Sequence, residues 1–347
     1  MKLSVVMVTA GREALFRRTL CSVLIDLPES SEVRVVVNGD HPGTLRWLEG
    51  LADPRLSFLT VPNESRCQAR NRAISATTGE ILYVFDDDVI VPRGLFRLVI
   101  DRFDSDAGLG VLGGPNLTPP DTKGLARLCG AIMASAFATP RVRFRYGAGS
   151  ARRFVATEHH LILCNLALRR SEFAKSQGFF PNLRSNEENL LLHQLSHIGT
   201  RLEFDRDAFV YHERRGTLTG FVRQIHSYGV GRGQQTFLAP SSFSWMFAIP
   251  SIALLVGAAL GVWAPVILAE LLIIHALASV LSAAICCETR RLGIGLLASI
   301  PLTLLIHFTY GCGVIQGLVG MALSPKKARR GRPSELTAPQ MIMTSCR

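Results

Sequence analysis

Gly79-Glu80-Ile81-Leu82-Tyr83-Val84-Phe85-Asp86-Asp87-Asp88 is the stretch on which the reading of this chain turns. Ile81 to Phe85 is a short apolar run that follows a glycine and breaks off in three carboxylates, the pattern of a buried strand with a charged end. Pro92 follows closely. Three successive aspartates repel one another, and burying them without compensation is costly. A hard divalent cation, Mg2+ or Mn2+, shared with diphosphate oxygens meets that need. A solvated acidic turn is the competing explanation, and the run alone does not choose between them.

Upstream, Leu3 to Val8 is a second buried run. It is followed by Leu15, Phe16, Thr19, Leu20, Val23 and Leu24 at helical spacing, with Pro28 as the stop. Val33 to Val37, ending in Asn38-Gly39-Asp40, predicts a strand, residues 43–51 a helix, Leu56 to Thr60 a strand and residues 65–76 a helix. Strands alternating with helices at short intervals predict an α/β fold, a mostly parallel sheet with helices on both faces. Ligands of such sheets bind beyond the carboxyl ends of the strands, so Thr9, Asn38 and Asp86-Asp87-Asp88 should share one rim. Further along, Leu109 to Leu112, Leu161 to Leu168 and Phe209 to Tyr211 read as strands. Glu187 to Ile198 reads as a helix, and residues 217–228 as an amphipathic helix carrying Phe221, Ile225 and Tyr228.

The chain of 347 residues is 48% hydrophobic, and the excess is uneven. Residues 1–240 hold 30 of the 38 basic and 24 of the 27 acidic residues, a net charge of +6. Residues 243–323 hold only Glu270, Glu288, Arg290 and Arg291. We expect a globular domain over 1–240, a membrane region over 241–324 and a basic tail over 325–347. In the membrane region, 243–263 and 266–285 are each long enough to span and are joined only by Ala264-Pro265 as a hairpin. A further apolar segment, 292–323, is interrupted by Pro301 and Gly311-Cys312-Gly313. Trp245 and Trp263 suit the interface. With 1–240 in the cytosol, the hairpin returns Arg290-Arg291 to the cytosol. A single third span then places Lys326, Lys327, Arg329, Arg330 and Arg332 outside, and a re-entrant one keeps them inside. The basic cluster suits anionic lipid or a simple topology signal. No nucleic-acid module or aromatic–basic platform is present. The eight cysteines are scattered without paired metal spacing, as in a reducing compartment. Met1 to Ala10 is too soon followed by Arg12 and Glu13 for a signal peptide. The expected location is the cell (inner) membrane, multi-pass, with the catalytic domain cytoplasmic.

Ala69-Arg70-Asn71-Arg72, Gly79-Glu80-Ile81 and Phe85-Asp86-Asp87-Asp88 with Pro92 resemble, in order, the donor-site signature of the family-two inverting glycosyltransferases. The resemblance runs over most of residues 3–235 and implies the GT-A fold, a Rossmann-like nucleotide-diphospho-sugar transferase. It implies that Asp86 contacts ribose or sugar and that Asp88 holds the metal, with Asp86 and His212 as further ligands. It also places Thr9, Asn38, Arg70, Asn71 and Asp87 about the donor. The family often carries an acid near Asn38. Cys164-Asn165-Leu166-Ala167-Leu168-Arg169-Arg170 is similar to the family's Asn-x-Ala-x-Arg-Arg segment. Asn186-Glu187-Glu188-Asn189 resembles its Glu-Asp pair, with Glu188 at the position of the general base and Glu187 as the second candidate. Two acids at a helix start also serve its dipole.

Gln224 and Arg232 could close over the donor diphosphate or pin their helix to headgroups. The glycines of Tyr228-Gly229-Val230-Gly231-Arg232-Gly233 follow no strand and so form no dinucleotide fingerprint. His159-His160 reads as acceptor-side lining or core. Gln224 lacks the Gln-x-x-Arg-Trp context of processive synthases. The expected activity is therefore metal-assisted addition of one sugar to a lipid-linked or membrane-proximal acceptor. A polyprenyl-phosphate sugar synthase and a catalytically silent membrane scaffold are the alternatives.

Overall fold

The computed structural model describes residues 1–286, 289, 293 and 295–324. Glu288, Arg290, Arg291 and the basic tail lie outside the described residues.

The first half alternates as the sequence predicts. β1 (Leu3–Thr9), α1 (Glu13–Asp26), β2 (Glu32–Asn38), α2 (Pro42–Glu49), β3 (Leu56–Val61), α3 (Arg66–Ser75) and β4 (Ile81–Phe85) follow in order. Every residue of β1 and β4 is buried, which is why both read as continuous apolar runs. β3 at the sheet edge is only half-buried. α3 starts at a capping box in which Ser65 accepts from the Gln68 N–H and the Gln68 side chain accepts from the Ser65 N–H.

The chain continues through β5 (Val89–Ile90), α4 (Leu95–Ser105), β6 (Leu109–Gly113), β7 (Asn116–Leu117), α5 (Gly124–Met133) and β8 (Arg153–Val155). Then come β9 (Leu166–Arg169), α6 (Arg170–Ala174), α7 (Glu187–His197), β10 (Arg201–Asp205) and β11 (Val210–His212). The main sheet has eight strands in the order β3-β2-β1-β4-β9-β6-β10-β8. It is mixed: β9 runs antiparallel to both β4 and β6, and β8 is antiparallel to β10. A small sheet, β5-β11-β7, stands beside the end of β4 and brings His212 back to the aspartates. The strand expected over Leu161–Leu168 is corrected: Leu163–Asn165 is a helical turn and only Leu166–Arg169 pairs in the sheet. Asn165 ends that turn with its side chain held: its Oδ1 accepts from the Tyr83 hydroxyl at 2.6 Å and its Nδ2 donates to the Ala208 carbonyl at 2.7 Å.

Four longer helices follow: α8 (Leu218–Leu238), α9 (Trp245–Trp263), α10 (Pro265–Ile285) and α11 (Gly295–Ala322). The last three are each long and apolar enough to cross a membrane. α8 outruns the twelve-residue helix expected over 217–228, and α11 is one continuous helix through Pro301 and Gly311-Cys312-Gly313. One packing arrangement accompanies both. In α8 a Cβ at Gly229 or Gly233 would collide with the carbonyl oxygens of Tyr310 or Val314 on α11, and in α11 Gly313 and Gly317 meet α8 in the same way. Two glycines four residues apart on each helix let the backbones touch, the small-residue packing seen between membrane helices. The glycines that looked like a break are a seam. Accordingly 44% of the most apolar window of α11 is buried within the chain, against 6% for α9 and 11% for α10. A core of Ile132 and Met133 from α5, Phe221 and Ile225 from α8, and Leu302 and Ile306 from α11 joins the sheet domain to the apolar helices.

Candidate active site

The rim beyond β1 and β4 gathers the predicted carboxylates. Asp86 accepts from Nη2 of Arg70 at 2.8 Å, and the other arm of the same guanidinium donates to Glu187 at 2.7 Å. Arg70 is fully buried, and one cation therefore ties the aspartate run to the acidic pair that opens α7. Burial opposes its charge, but Asp86 and Glu187 outweigh burial and raise its pKa. Asn186 just before α7 has φ of 64°, the one non-glycine residue in the left-handed region among the described residues. Backbone strain of this kind concentrates at functional sites, where surrounding contacts hold it.

Asp87 turns inward, accepting from the Thr9 hydroxyl at 2.9 Å and from Arg12. Burial raises its pKa against the opposing charge of Arg12. Asp88 is 3% exposed. Its Oδ2 accepts from Arg12, and its Oδ1 is buried without a hydrogen-bond partner, 3.2 Å from Nε2 of His212. Burial would raise the pKa of Asp88, yet His212 and Arg12 hold it below the usual carboxylate range. Ligand atoms of Asp86, Cys164 and His212 lie within 4.8 Å of one another. Asp88 is not one of these three, but its orphaned oxygen stands beside the His212 that they share, and carboxylate and imidazole are donor types that suit a divalent ion. Arg12 now holds the compensating charge for Asp87 and Asp88.

Glu188 is buried beside Arg145, whose Nη1 lies 3.5 Å from its Oε1. Burial pushes its carboxyl up to about 7, with Arg145 opposing. Arg145 sits on a short helical turn, Val142–Tyr146, in a stretch that carries no motif.

A cavity of about 1510 Å³ opens on these groups. It starts among Asp86, Asp88, Glu187, Glu188 and His212 and runs to Ile249, Ala253, Leu271 and Leu272 on α9 and α10. Tyr228 and Arg232 of α8 also line it.

Several predicted donor residues do other work in this state. Asn38 exchanges two hydrogen bonds with the backbone of Glu64, at 2.9 and 2.8 Å. Asn71 does the same with Phe179, at 2.8 and 3.0 Å. Neither they nor Thr9 line the cavity. Gln224 lines it and donates to the Tyr228 hydroxyl at 2.9 Å. Arg232 lines it on the side of α9, with its guanidinium 4.3 Å from the Phe247 ring. His160 packs between Phe144 and Phe154 as core. His159 meets Phe247 edge to face at 4.8 Å. Arg12, Arg145 and Cys164 were not singled out from the sequence. For Arg12 a signal existed, its place in the loop after β1. For Cys164 it was adjacency to Asn165. Arg145 had none.

Residues 4–171 match the family model described as glycosyl transferase family 2. Among solved structures, the chain is similar to the mannosyltransferase PcManGT from Pyrobaculum calidifontis, determined in complex with GDP-Man and Mn2+. The TM-score is 0.61 at 17% identity, covering 91% of this chain and 86% of that one. S. aureus TarS 1-349 gives a TM-score of 0.48 at 16% identity, and its complex with UDP 0.49 at 15%, each covering 91% of both chains. No curated protein matches the sequence. The resemblance read from the motifs and the family-two match agree over residues 4–171, and the chain shares the GT-A fold of that mannosyltransferase, followed by three apolar helices.

Proposed function

We propose, with the family-two match as premise, that this chain moves a single sugar from a nucleotide-diphospho-sugar to a lipid-linked or membrane-proximal acceptor, with inversion at the anomeric carbon. The observation that carries this reading is the cavity, which joins the carboxylate rim to apolar walls on α9 and α10. A soluble acceptor would have no use for such walls; a lipid tail would.

In this scheme the acceptor hydroxyl attacks the anomeric carbon while the bond to the diphosphate breaks on the opposite side. Glu188 takes the hydroxyl proton, and its raised pKa makes it a base matched to neutral pH. Glu187, held by Arg70, orients the start of α7. Asp86 faces the ribose or sugar. Asp88, Asp86 and His212 would hold Mg2+ or Mn2+, which when bound neutralises charge on the departing nucleoside diphosphate. Arg12, which pairs with Asp87 and Asp88, would be the cation competing with such an ion. Residues 1–240 act at the cytoplasmic face of the inner membrane, with 241–324 as the anchor. Gln224 is bonded to Tyr228 and has no Arg-Trp partner downstream, in keeping with addition of one sugar and not polymerisation.

The test is transfer by purified protein in nanodiscs, using a panel of UDP- and GDP-sugars, Mn2+ or Mg2+, and extracted membrane lipid as acceptor. Metal-dependent transfer, with an inverted anomeric signal in the product by NMR, is expected. Neither binding nor turnover of any donor would instead favour a silent scaffold.

A further inference from the structure

Arg232 is a buried cation without an anion. It is 4% exposed and forms no ion pair among the described residues. Its Nη1 donates to the neutral Gln235 at 2.8 Å, its face lies over Phe247, and its Nε has no partner. Burying a charge without an opposite charge is strongly unfavourable, so such a group implies a ligand.

A second guanidinium lies close by, with Glu188 3.5 Å from its Nη1 as its carboxylate neighbour. Arg145 is also buried, donating to the carbonyls of His159 and Glu158 at 2.9 and 2.6 Å and to Asn189 Oδ1 at 2.6 Å. Burial holds it below its ordinary pKa, and the charge of Arg232 adds to that. Next to them His159 is pushed down to about 3, by burial first and then by Arg232, so it stays neutral. Because arginine can only donate, it fixes the amides of Gln235 and Asn189 with their oxygens toward the guanidiniums. Their NH2 groups, Gln235 Nε2 and Asn189 Nδ2, are buried and unbonded. The pocket thus holds two guanidiniums and two unbonded NH2 groups, with Glu188 beside Arg145 and Glu158 beside His159 as its carboxylates.

We propose that Arg232, supported by Arg145, binds the phosphate of a lipid acceptor whose apolar tail lies along α9 and α10. This rests on the glycosyltransferase reading above and gives its acceptor a phosphate. The donor diphosphate is the other source of the same chemistry. Placement favours the lipid: Arg232 stacks on Phe247 at the start of α9, while the donor carboxylates hold Arg12 and Arg70. The wall beyond it, Ile249, Ala253, Leu271 and Leu272, is apolar. Guanidinium groups match phosphate geometry through paired N–H donors.

The experiment uses the full chain in phosphatidylcholine nanodiscs with three probes: a polyprenyl phosphate, the uncharged polyprenol of equal length, and a nucleoside diphosphate with Mn2+. Wild-type protein should gain thermal stability from the polyprenyl phosphate and not from the polyprenol. Arg232→Gln should weaken polyprenyl phosphate binding by about tenfold or more, Arg232→Lys should restore part of it, and neither should change nucleoside diphosphate binding. Equal binding of polyprenol and polyprenyl phosphate by the wild type overturns the proposal, and that comparison needs no variant to fold. Loss of nucleoside diphosphate binding in Arg232→Gln with the lipid probe unaffected overturns it in favour of the donor. Binding of the lipid phosphate through Arg232 without any sugar transfer would sink the glycosyltransferase reading and leave this site standing.

Discussion

Replacing Glu188 by glutamine tests the assignment of the base most directly. The carboxyl is buried, and its pKa rises from the ordinary 4.5 to about 7. At about 1.4 kcal/mol per pH unit, that difference is worth about 3 kcal/mol between the protonated and ionised forms. The sign is fixed: the folded state prefers the protonated acid. The contribution to stability is full below 4.5 and is lost as pH rises through about 7. Activity runs the other way, because a base must be ionised to accept a proton. Transfer by the wild type should therefore fall about tenfold per pH unit below about pH 7. Glu188→Gln should lose transfer by about a hundredfold to ten-thousandfold, keep donor binding, and flatten the fall of thermal stability with rising pH. Arg145 lies 3.5 Å away and favours the ionised form, so Arg145→Met should move the midpoint of the rate profile to higher pH. The assay is transfer of a radiolabelled sugar across a pH series, with thermal melts on the same samples. Near-normal transfer by Glu188→Gln, or a flat wild-type profile from about pH 5.5 to about pH 8.5, refutes the reasoning.

Other substitutions probe the remaining parts. Asp88→Ala should abolish metal-dependent donor binding, read by calorimetry with and without Mn2+; unchanged binding would remove Asp88 from the ligand set. Arg12→Gln should strengthen Mn2+ binding in the absence of nucleotide, because Arg12 is the competing cation at Asp87 and Asp88; weaker binding would show that Arg12 supports the ion site. Arg70→Met leaves Asp86 and Glu187 without their shared cation and should cost about 3–5 kcal/mol in denaturant unfolding. A loss below about 1 kcal/mol would mean that the pair is hydrated. Gly233→Leu should part α8 from α11, while Gly257→Leu, where the nearest atom is Leu268 Cδ1 at 3.8 Å, should be tolerated. Equal melting temperatures in detergent for the two would contradict the glycine seam.

Much of the fold is local in origin and was legible early. β1 and β4 are buried on both faces, so their sequences are unbroken apolar runs, and the helices between them carry ordinary stop signals. The aspartate run, Arg70 and the pair Glu187-Glu188 stand out because several acids together at element ends have few purely structural uses. Where local pattern does not fix the conformation, a distant partner does. The turn Leu163–Asn165 ends at a residue whose amide is held by Tyr83 and Ala208. Gly229, Gly233, Gly313 and Gly317 look like interruptions in a linear scan. Only when two helices lie together does the missing Cβ become contact instead of flexibility.

The opening stretch, Ile81 to Asp88, shows the same division. By itself the sequence determined that a buried strand ends in three carboxylates at a ligand-binding rim, since periodicity and charge are properties of neighbours in the chain. The structure alone decided what each carboxylate faces: Arg70 for Asp86, Thr9 and Arg12 for Asp87, Arg12 and His212 for Asp88. It alone also joined that rim to the apolar helices through one cavity and left Arg232 there without an anion. Those partners lie up to 124 residues from the aspartates, as His212 lies from Asp88. Electrostatic and packing energies depend on separation in space, which no local pattern encodes.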